Sequence, residues 1–381
     1  MTLTRAALAV AYHAPAKRDF MRTVMVPSAH RVAGAPGVEH AFLTRHWRFG
    51  PHLQLVVSGT DREQILAALT TEQPQLVAAV AEAPSDYTLR TEPYLAMSEE
   101  LGRAELVPGP YAPIWDDNSV RLLDEPLLPG LVVHPDAQAL RDQFCASTLP
   151  VLESVLTRCA RDPQQRLIAA TELLVTVAAA YPDRGLAHGY LSYRSHLEDY
   201  LQDNDRDGAY RADFERRYEA VRPAFEALIR QCVDQLDEPT GYTGSDPAIA
   251  RWSGAVADTI AGAVPLAGRD QAIDPLLHED YMERARDLNQ HLERKYRVGD
   301  DREYSDFHAA YREVEFTDVE AGKVFAAYRF TVNHLYTQLL LTDLSPAERL
   351  FLCHAVSETV ETLTGSTWQD KLLPATTAQG A

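Results

Sequence analysis

Apolar and polar positions divide the chain into a short alternating part and a long helical part. Residues 6–14 are apolar and suit a strand, 17–26 has helical spacing, and 41–57 alternates on both sides of Gly50-Pro51. Because Gly-Pro interrupts a strand, 41–57 is predicted as two short strands or one bulged strand. Residues 61–82 are predicted as a helix that begins at an aspartate. This β-α-β-α order predicts a small sandwich of ferredoxin-like type.

The rest of the pattern is helical and is reached through a proline-rich segment. Apolar residues are interleaved with the prolines of 108–135, which predicts an ordered connection rather than a flexible linker. Beyond it, spacing near 3.6 predicts helices at 136–159, 163–180, 192–201, 209–236, 248–263, 280–296, 318–341 and 346–364. The prediction is an α+β protein with four parts: an α+β sub-domain at 1–107, the connection at 108–135, a mostly helical region at 136–368 that completes the active site, and a frayed tail at 369–381.

Composition narrows the possible functions. The 381 residues are 46% apolar and 24% charged, which is typical of a globular protein. The formal net charge of −19 disfavours nucleic-acid binding, since a surface that follows phosphates needs clustered Lys and Arg. No apolar run is long enough for a membrane span, and the N-terminus has no cleavage-site pattern, so we expect a cytoplasmic protein. The four cysteines are widely spaced and are predicted to be buried free thiols.

Motifs for cofactors and metals are missing from the sequence. It contains no Walker lysine loop, no Rossmann glycine fingerprint, no nucleophile elbow and no paired Cys-x-x-Cys. His13, His46 and His52 could be grouped as metal ligands, but scattered histidines are more often ordinary strand or surface residues. We therefore predict chemistry without metal or cofactor, carried out by side chains that position the substrate and move protons.

Three groups of residues are candidates for that chemistry, and each also has a purely structural interpretation. Arg45, His46, Arg48 and His52 could present cations to a peptide, or form a solvated strand face around core aromatic residues. The 192–198 segment could contact a substrate amide through Ser192, Ser195 and His196. It could equally begin a helix with Ser192 as cap and an Arg194–Glu198 pair. Tyr328 lies among apolar helix residues, where a phenol needs a hydrogen-bond partner if it is buried.

Four segments resemble, in order, the stand-alone elimination-domain proteins of the lantibiotic dehydratase family. They are RHWRFGPHLQL at 45–55, PIWDDNSV at 113–120, GYLSYRSHLE at 189–198, and the pair YRFTVN at 328–333 with ERLFLCH at 348–354. Their order and spacing extend the resemblance over about residues 6–365. Within the family the combination is most similar to thiopeptide pyridine synthases, which convert two dehydroalanines into a six-membered nitrogen ring.

The resemblance implies a formal aza-[4+2] cycloaddition within a ribosomally made precursor peptide. It would form a pyridine or dehydropiperidine-type ring and a macrocycle, with loss of water and of the leader peptide. Implied partners are the modified precursor with its leader and other maturation enzymes of the pathway, with the chain as monomer or homodimer. The resemblance assigns proton transfer to Tyr328, with Ser192, Arg194, Ser195 and His196 at the reacting amide. Implied substrate contacts are Arg45, His46, Arg48, His52, Asn118 and Ser119.

The sequence departs from the family pattern at one position, and two alternative functions are also considered. Gly322 stands where some relatives carry a hydroxyl residue, six positions before the tyrosine. The first alternative is a lyase that eliminates glutamate from glutamylated Ser or Thr, in which Arg45, Arg48 and Arg194 would assist the leaving carboxylate. The second is a peptide-binding subunit without catalytic activity. His334, Tyr336 and His354 are weaker candidates and are predicted to pack between helices.

Overall fold

Four strands form one antiparallel sheet. The computed structural model describes residues 3–128, 132, 134–237, 241–268, 272–273, 279–296, 304–314 and 319–373. The strands are β1 (Thr4–Ala11), β2 (His40–His46), β3 (His52–Gly59) and β4 (Val120–Leu123). Their order is β2-β3-β1-β4, the split β-α-β arrangement of ferredoxin-like sheets. The predicted α+β class is confirmed.

Both faces of the sheet are buried, which explains the nearly unbroken apolar run of β1. Side chains at alternating positions point to opposite faces of a strand. Leu8 and its cross-strand neighbour Leu55 belong to one core, whereas Ala7 and Phe42 belong to the other. A strand buried on both faces has no solvated face to supply polar alternation.

Three short helical segments and one long helix cover the first face. They are α1 (Arg18–Phe20), a π-helical turn (Met21–Met25), α2 (Val26–Ala33) and α3 (Arg62–Glu82). Asp61 caps α3 as predicted, since its carboxylate accepts hydrogen bonds from the backbone N–H groups of Glu63 and Gln64.

The other described helices follow along the chain and build the second core. They are α4 (Thr91–Glu105), α5 (Pro135–Ser147), α6 (Leu149–Arg161), α7 (Gln165–Ala179), α8 (Leu186–Gly189), α9 (Leu191–Asn204), α10 (Ala209–Val233), α11 (Pro247–Ala263), α12 (Glu279–Leu288), α13 (Gln290–Tyr296), α14 (Asp306–Glu313), α15 (Val319–Leu340), α16 (Pro346–Thr364) and α17 (Trp368–Leu372). A short ribbon joins β5 (Leu236–Asp237) to β6 (Gly241–Tyr242). None of the described helices is long and apolar enough to cross a membrane.

Several differences from the predicted elements have local causes. The predicted helix 136–159 is two helices, because Pro150 starts a new one and the Thr148 hydroxyl turns back to the Phe144 carbonyl. The proline-rich connection supplies β4, which pairs with β1. Within the predicted frayed tail, α17 has a capping box between Thr367 and Asp370, and residues 374–381 lie outside the described ranges. The four cysteines are free, as predicted, although Cys232 is only half-buried.

Two aspartates join the sheet to the helical region. Asp142 on α5 accepts hydrogen bonds from Arg5 on β1 at 2.6 Å and from Arg141 at 2.9 Å. Asp343, which follows α15, accepts hydrogen bonds from the backbone N–H groups of Lys17 and Arg18 at the start of α1. These contacts attach α5 to β1 and the end of α15 to the start of α1.

Candidate active site

Tyr328 on α15 meets the junction between α8 and α9. Its side chain is fully buried, and its hydroxyl donates a hydrogen bond to the Gly189 carbonyl at 2.9 Å. The ring lies edge-on against Tyr181 with centroids 4.9 Å apart. Burial and the neighbouring Tyr181 raise the pKa of Tyr328 well above its usual value, although the hydroxyls of Tyr193 and Ser192 act in the opposite sense. The phenol is therefore a neutral donor at physiological pH.

Gly189 is required because α8 approaches α7 closely. A Cβ atom at this position would lie 2.0 Å from the Ala178 carbonyl oxygen, a distance that only a backbone shift could relieve. The absence of a side chain thus places the Gly189 carbonyl where Tyr328 can donate to it.

We predict that Gly189→Ala destabilises the fold by about 1–3 kcal/mol through overpacking, and that it displaces the start of α9 from Tyr328. Gly254→Ala is a matched control, because its Cβ would meet no atom within 4 Å and it lies inside α11. That change is expected to stabilise the helix by about 0.5–1 kcal/mol. Chemical unfolding of both variants measures the difference, and equal effects would contradict the packing argument.

The 192–198 segment lies inside α9 rather than at its cap. The helix begins at Leu191 after Tyr190, so the prediction that Ser192 caps it is wrong. The predicted Arg194–Glu198 ion pair is present at 3.0 Å. Ser192 instead lies close enough to interact with the phenol of Tyr328, which brings two of the predicted catalytic residues together.

Arg194 is already neutralised by its surroundings. Besides Glu198, its guanidinium contacts Glu358 at 2.6 Å, and Glu198 also receives two hydrogen bonds from Arg211. Burial acts to raise the pKa of Glu198, but the hydrogen bond from Arg211 and the charge of Arg194 lower it below its usual value overall. Both partners of the Arg194–Glu198 pair are thus charged, and Arg194 is part of a balanced ionic network.

The other two predicted residues of α9 contact aromatic and imidazole rings. The His196 ring packs on Tyr336 with centroids 4.8 Å apart. The Ser195 hydroxyl lies 3.0 Å from Nε2 of His308 on α14. His308 was missed by sequence reasoning, because Ser305-Asp306-Phe307-His308 has only the pattern of a helix start.

A large open cleft lies beside α9. Its volume is about 1210 Å³, and it lies between α9, the start of α10, α14 and α17. Arg194, Ser305, His308 and Trp368 are among its lining residues. The cleft is large enough for several residues of a peptide, and its wall contains ionic groups together with the Ser305 hydroxyl and the His308 imidazole.

Arg45 and Arg48, predicted to contact substrate, have different surroundings. The Arg45 guanidinium donates to the carbonyl of Leu340, the last residue of α15, and pairs with Asp343 at 3.4 Å. It therefore supports the helix that carries Tyr328. The half-buried Arg48 lies over the Phe49 ring at 4.8 Å and donates to the Pro110 carbonyl. Substrate binding by these two residues stays a prediction.

His46 and His52 form a buried pair across β2 and β3. Their rings lie 5.9 Å apart, and His52 also packs on Trp115 at 4.7 Å. Burial, followed by the charges of His52 and Arg48, lowers the pKa of His46 to about 3. Burial lowers the pKa of His52 to about 4. Both rings are therefore neutral near pH 7, so any cations on this strand come from Arg45 and Arg48, and substrate contact by His46 and His52 stays a prediction.

Asn118 and Ser119 hold the proline-rich connection against neighbouring loops. The Asn118 amide bonds both backbone groups of Ser85, accepting from the N–H at 2.7 Å and donating to the carbonyl at 2.9 Å. The Ser119 hydroxyl donates to the Asp116 carbonyl. Both side chains are engaged within the protein, and their contact with substrate stays a prediction.

The buried pair makes stability depend on pH. The folded pKa of His52 is about 4, below the ordinary value of about 6.5 in the unfolded chain. The stability that depends on a neutral His52 is fully present above pH 6.5 and is lost as the pH falls toward 4. By linkage, protonation of His52 is expected to lower the free energy of unfolding by about 2 kcal/mol when the pH falls from 7 to 5. The His52→Asn variant should lose about 2 kcal/mol less of its unfolding free energy between pH 7 and pH 5 than the wild-type protein does. Chemical unfolding at both pH values measures the difference. An equal loss in both proteins would contradict this.

Two solved structures match the chain over nearly its full length. One is described as the pyridine synthase TbtD from thiomuracin biosynthesis. It is 24% identical, with 95% of this chain and 99% of that chain covered and a TM-score of 0.68. The other is TsrL, 18% identical, with 96% of each chain covered and a TM-score of 0.63. At these identities the likeness establishes the fold. No curated protein sequence matches the chain.

Family membership rests on the sequence itself. The sequence model described as "Lantibiotic biosynthesis dehydratase C-term" matches residues 6–360, which include all but the first two residues of the four-stranded sheet and the helix that carries Tyr328. Within the described ranges, no three His, Cys, Asp or Glu side chains converge in a way that could hold a metal ion. The match spans both the sheet and the helical region, and the chain belongs to the lantibiotic dehydratase C-terminal family.

Proposed function

We propose that this protein catalyses a formal aza-[4+2] cycloaddition between two dehydroalanines of a ribosomally made precursor peptide. The product is a pyridine or dehydropiperidine-type ring that closes a macrocycle, with loss of water and of the leader peptide. The observation that carries the proposal is the buried Tyr328 phenol, which donates to the Gly189 carbonyl and interacts with Ser192 of α9. Family membership and the fold shared with TbtD, whose name describes a pyridine synthase, support it.

The reaction needs positioning and proton transfer. One dehydroalanine must react through the iminol form of the preceding amide, so a proton leaves the amide nitrogen and one arrives at its oxygen. Holding two distant parts of a peptide together can lower the barrier by several kcal/mol, on the order of 7–11 for ideal geometry. This chemistry requires neither hydride transfer nor a metal.

Tyr328 suits the role of proton donor. Its raised pKa keeps the proton on the phenol, and the hydrogen bond to Gly189 fixes the direction of the hydroxyl. In the proposed reaction the substrate amide takes the place of the Gly189 carbonyl as the partner of this hydroxyl. Ser192 and Ser195, one turn apart on α9, hold that amide. A Cβ atom at Gly322 would meet no atom within 4 Å. In this proposal the two serines supply the hydroxyls that position 322 lacks.

The remaining candidate residues contribute to binding in this proposal. Arg48, together with the half-buried Trp47 and Phe49, forms a basic aromatic surface beside the proline-rich connection. We assign this surface to the precursor peptide. Four neighbouring residues hold this surface in place through packing and hydrogen bonds, namely His46, His52, Asn118 and Ser119.

The test is incubation of the protein with a leader-bearing peptide that contains azoles and two dehydroalanines, followed by mass spectrometry. A macrocycle and an intact leader carboxamide are expected. A peptide in which alanine replaces one dehydroalanine is the matched control and must remain unchanged. Unchanged mass of the complete substrate would overturn the proposal.

Glutamate elimination is the second candidate, and the description of the family as dehydratase C-terminal favours it. It needs cationic assistance for the leaving carboxylate, but Arg194 is neutralised by Glu198 and Glu358. The same assay with a glutamylated peptide separates the two reactions, because only the lyase releases glutamate. Binding of both peptides without any change in mass would instead indicate a non-catalytic binding subunit.

A further inference from the structure

A hydrogen-bonded row of hydroxyl and imidazole groups joins α9 to the cleft. Nε2 of His308 lies 3.0 Å from the Ser195 hydroxyl, and Nδ1 lies 2.8 Å from the Ser305 hydroxyl. Ser305 is also the N-cap of α14, which fixes it by accepting from the His308 backbone N–H. Both ring nitrogens therefore face groups that can either donate or accept a proton.

The row ends near Tyr328. Ser195 lies three residues after Ser192 on α9, and side chains at this spacing share one helix face. Ser192 in turn interacts with the phenol of Tyr328. His308 and Ser305 line the cleft, so the opposite end of the row is open to solvent. The hydrogen-bonded row thus leads from Ser195, one helical turn from Ser192, to the open cleft.

The charged surroundings of His308 come from several elements. Glu198 on α9 interacts with it, and Asp306 precedes it on α14. Across the cleft lie Arg194, Arg211 and His291. Arg194 and Arg211 are both paired with Glu198, and the cleft lining also includes Asp199, Asp203, Asp205 and Arg206, so it carries five carboxylates and three guanidinium groups. The imidazole of His308 thus lies among both acidic and basic side chains of the cleft.

We propose that His308, acting through Ser195, takes and returns the proton that the substrate amide exchanges during cyclisation. This inference rests on the proposed function and adds to it a residue that sequence reasoning did not identify. The amide nitrogen gives its proton to Ser195 Oγ while the hydroxyl proton of Ser195 passes to His308 Nε2. The Tyr328 phenol gives its proton to the amide oxygen, which yields the iminol. Return of a proton from the His308 imidazolium to the Tyr328 phenolate, through Ser195 and Ser192, restores both groups, so no proton is gained or lost overall.

The test compares His308→Ala and His308→Gln in the cyclisation assay. Glutamine can bond to Ser195 but cannot accept its proton. Both variants are therefore expected to lower kcat about a hundredfold, with unchanged peptide affinity and an unchanged melting temperature. Added imidazole should restore activity to the alanine variant by entering from the cleft, and should not restore the glutamine variant. His30→Ala is the control, since His30 is an exposed histidine of α2 paired with Glu153.

The outcomes separate this inference from the proposed function. Suppose that the wild-type protein converts the peptide and that His308→Gln retains the wild-type kcat. His308 then has a structural role, and the relay of the proton through Ser195 to His308 is overturned while the proposed cyclisation stands. Lost activity that imidazole fails to restore to the alanine variant also contradicts the relay. If the wild-type protein leaves the peptide unchanged, the proposed function fails and the relay fails with it.

Discussion

Tyr328→Phe is expected to lower kcat for cyclisation by about 10²–10⁴-fold, because it removes the positioned phenolic proton and leaves the ring in place. The hydroxyl is buried and donates to the Gly189 carbonyl at 2.9 Å. Its loss also leaves that carbonyl without this partner, at a cost of about 1–3 kcal/mol in stability. Single-turnover kinetics at saturating peptide, together with chemical unfolding, measures the two effects separately.

A second buried tyrosine provides a control that separates an effect on catalysis from an effect on stability. Tyr218 is also buried, and its hydroxyl bonds the Thr359 hydroxyl at 2.9 Å in a different part of the helical core. Tyr218→Phe is expected to destabilise the protein by a comparable amount and to leave kcat unchanged. If Tyr328→Phe retains wild-type kcat, the phenol has a packing role alone.

Asp142→Ala is expected to produce the largest loss of stability, about 3–5 kcal/mol, because it leaves two arginines without their buried counter-charge. The carboxylate is fully buried and accepts hydrogen bonds from Arg5 at 2.6 Å and from Arg141 at 2.9 Å. Arg5 lies on β1 and Asp142 on α5, so the substitution weakens the attachment of the sheet to the helices. The measurement is the unfolding free energy from denaturant titration.

The comparison is the same substitution in an exposed ion pair. Asp124 pairs with Arg62 at 3.1 Å, and its side chain is 83% exposed. Asp124→Ala should cost at most about 1 kcal/mol, because water replaces the lost partner. Similar losses for both variants would show that the buried network contributes no more than a surface pair.

The predicted elements that agree with the structure are those with a strong local period. The 3.6-residue spacing identified α7, α11 and α16 almost to their ends. Helix α4 was missed because its buried face consists of Tyr94, Ser98 and Gly102, a row of small and polar residues with no apolar period. Strand β4 was missed because four residues in a proline-rich segment become a strand only by pairing with β1.

The candidate site was predictable to the extent that its residues belong to one segment. The sequence placed Ser192, Ser195 and His196 on one helical stretch and paired Arg194 with Glu198, and the structure agrees. It gave no sign of His308, which is separated from Ser195 by 113 positions. Sequence spacing defines a helix face, but it does not define what packs on that face.

By itself, the sequence determined the α+β class, most helices and the family signature, because helical periods and short motifs depend on neighbouring residues. The tertiary structure alone decided the chemical state and partners of the key side chains. Burial makes His46 and His52 neutral, although their sequence context is basic. Arg45 pairs with Asp343, 298 positions away, and its side chain is 35% exposed. Desolvation and long-range ion pairing depend on which segments pack against each other in the tertiary structure. Local sequence patterns do not contain that information.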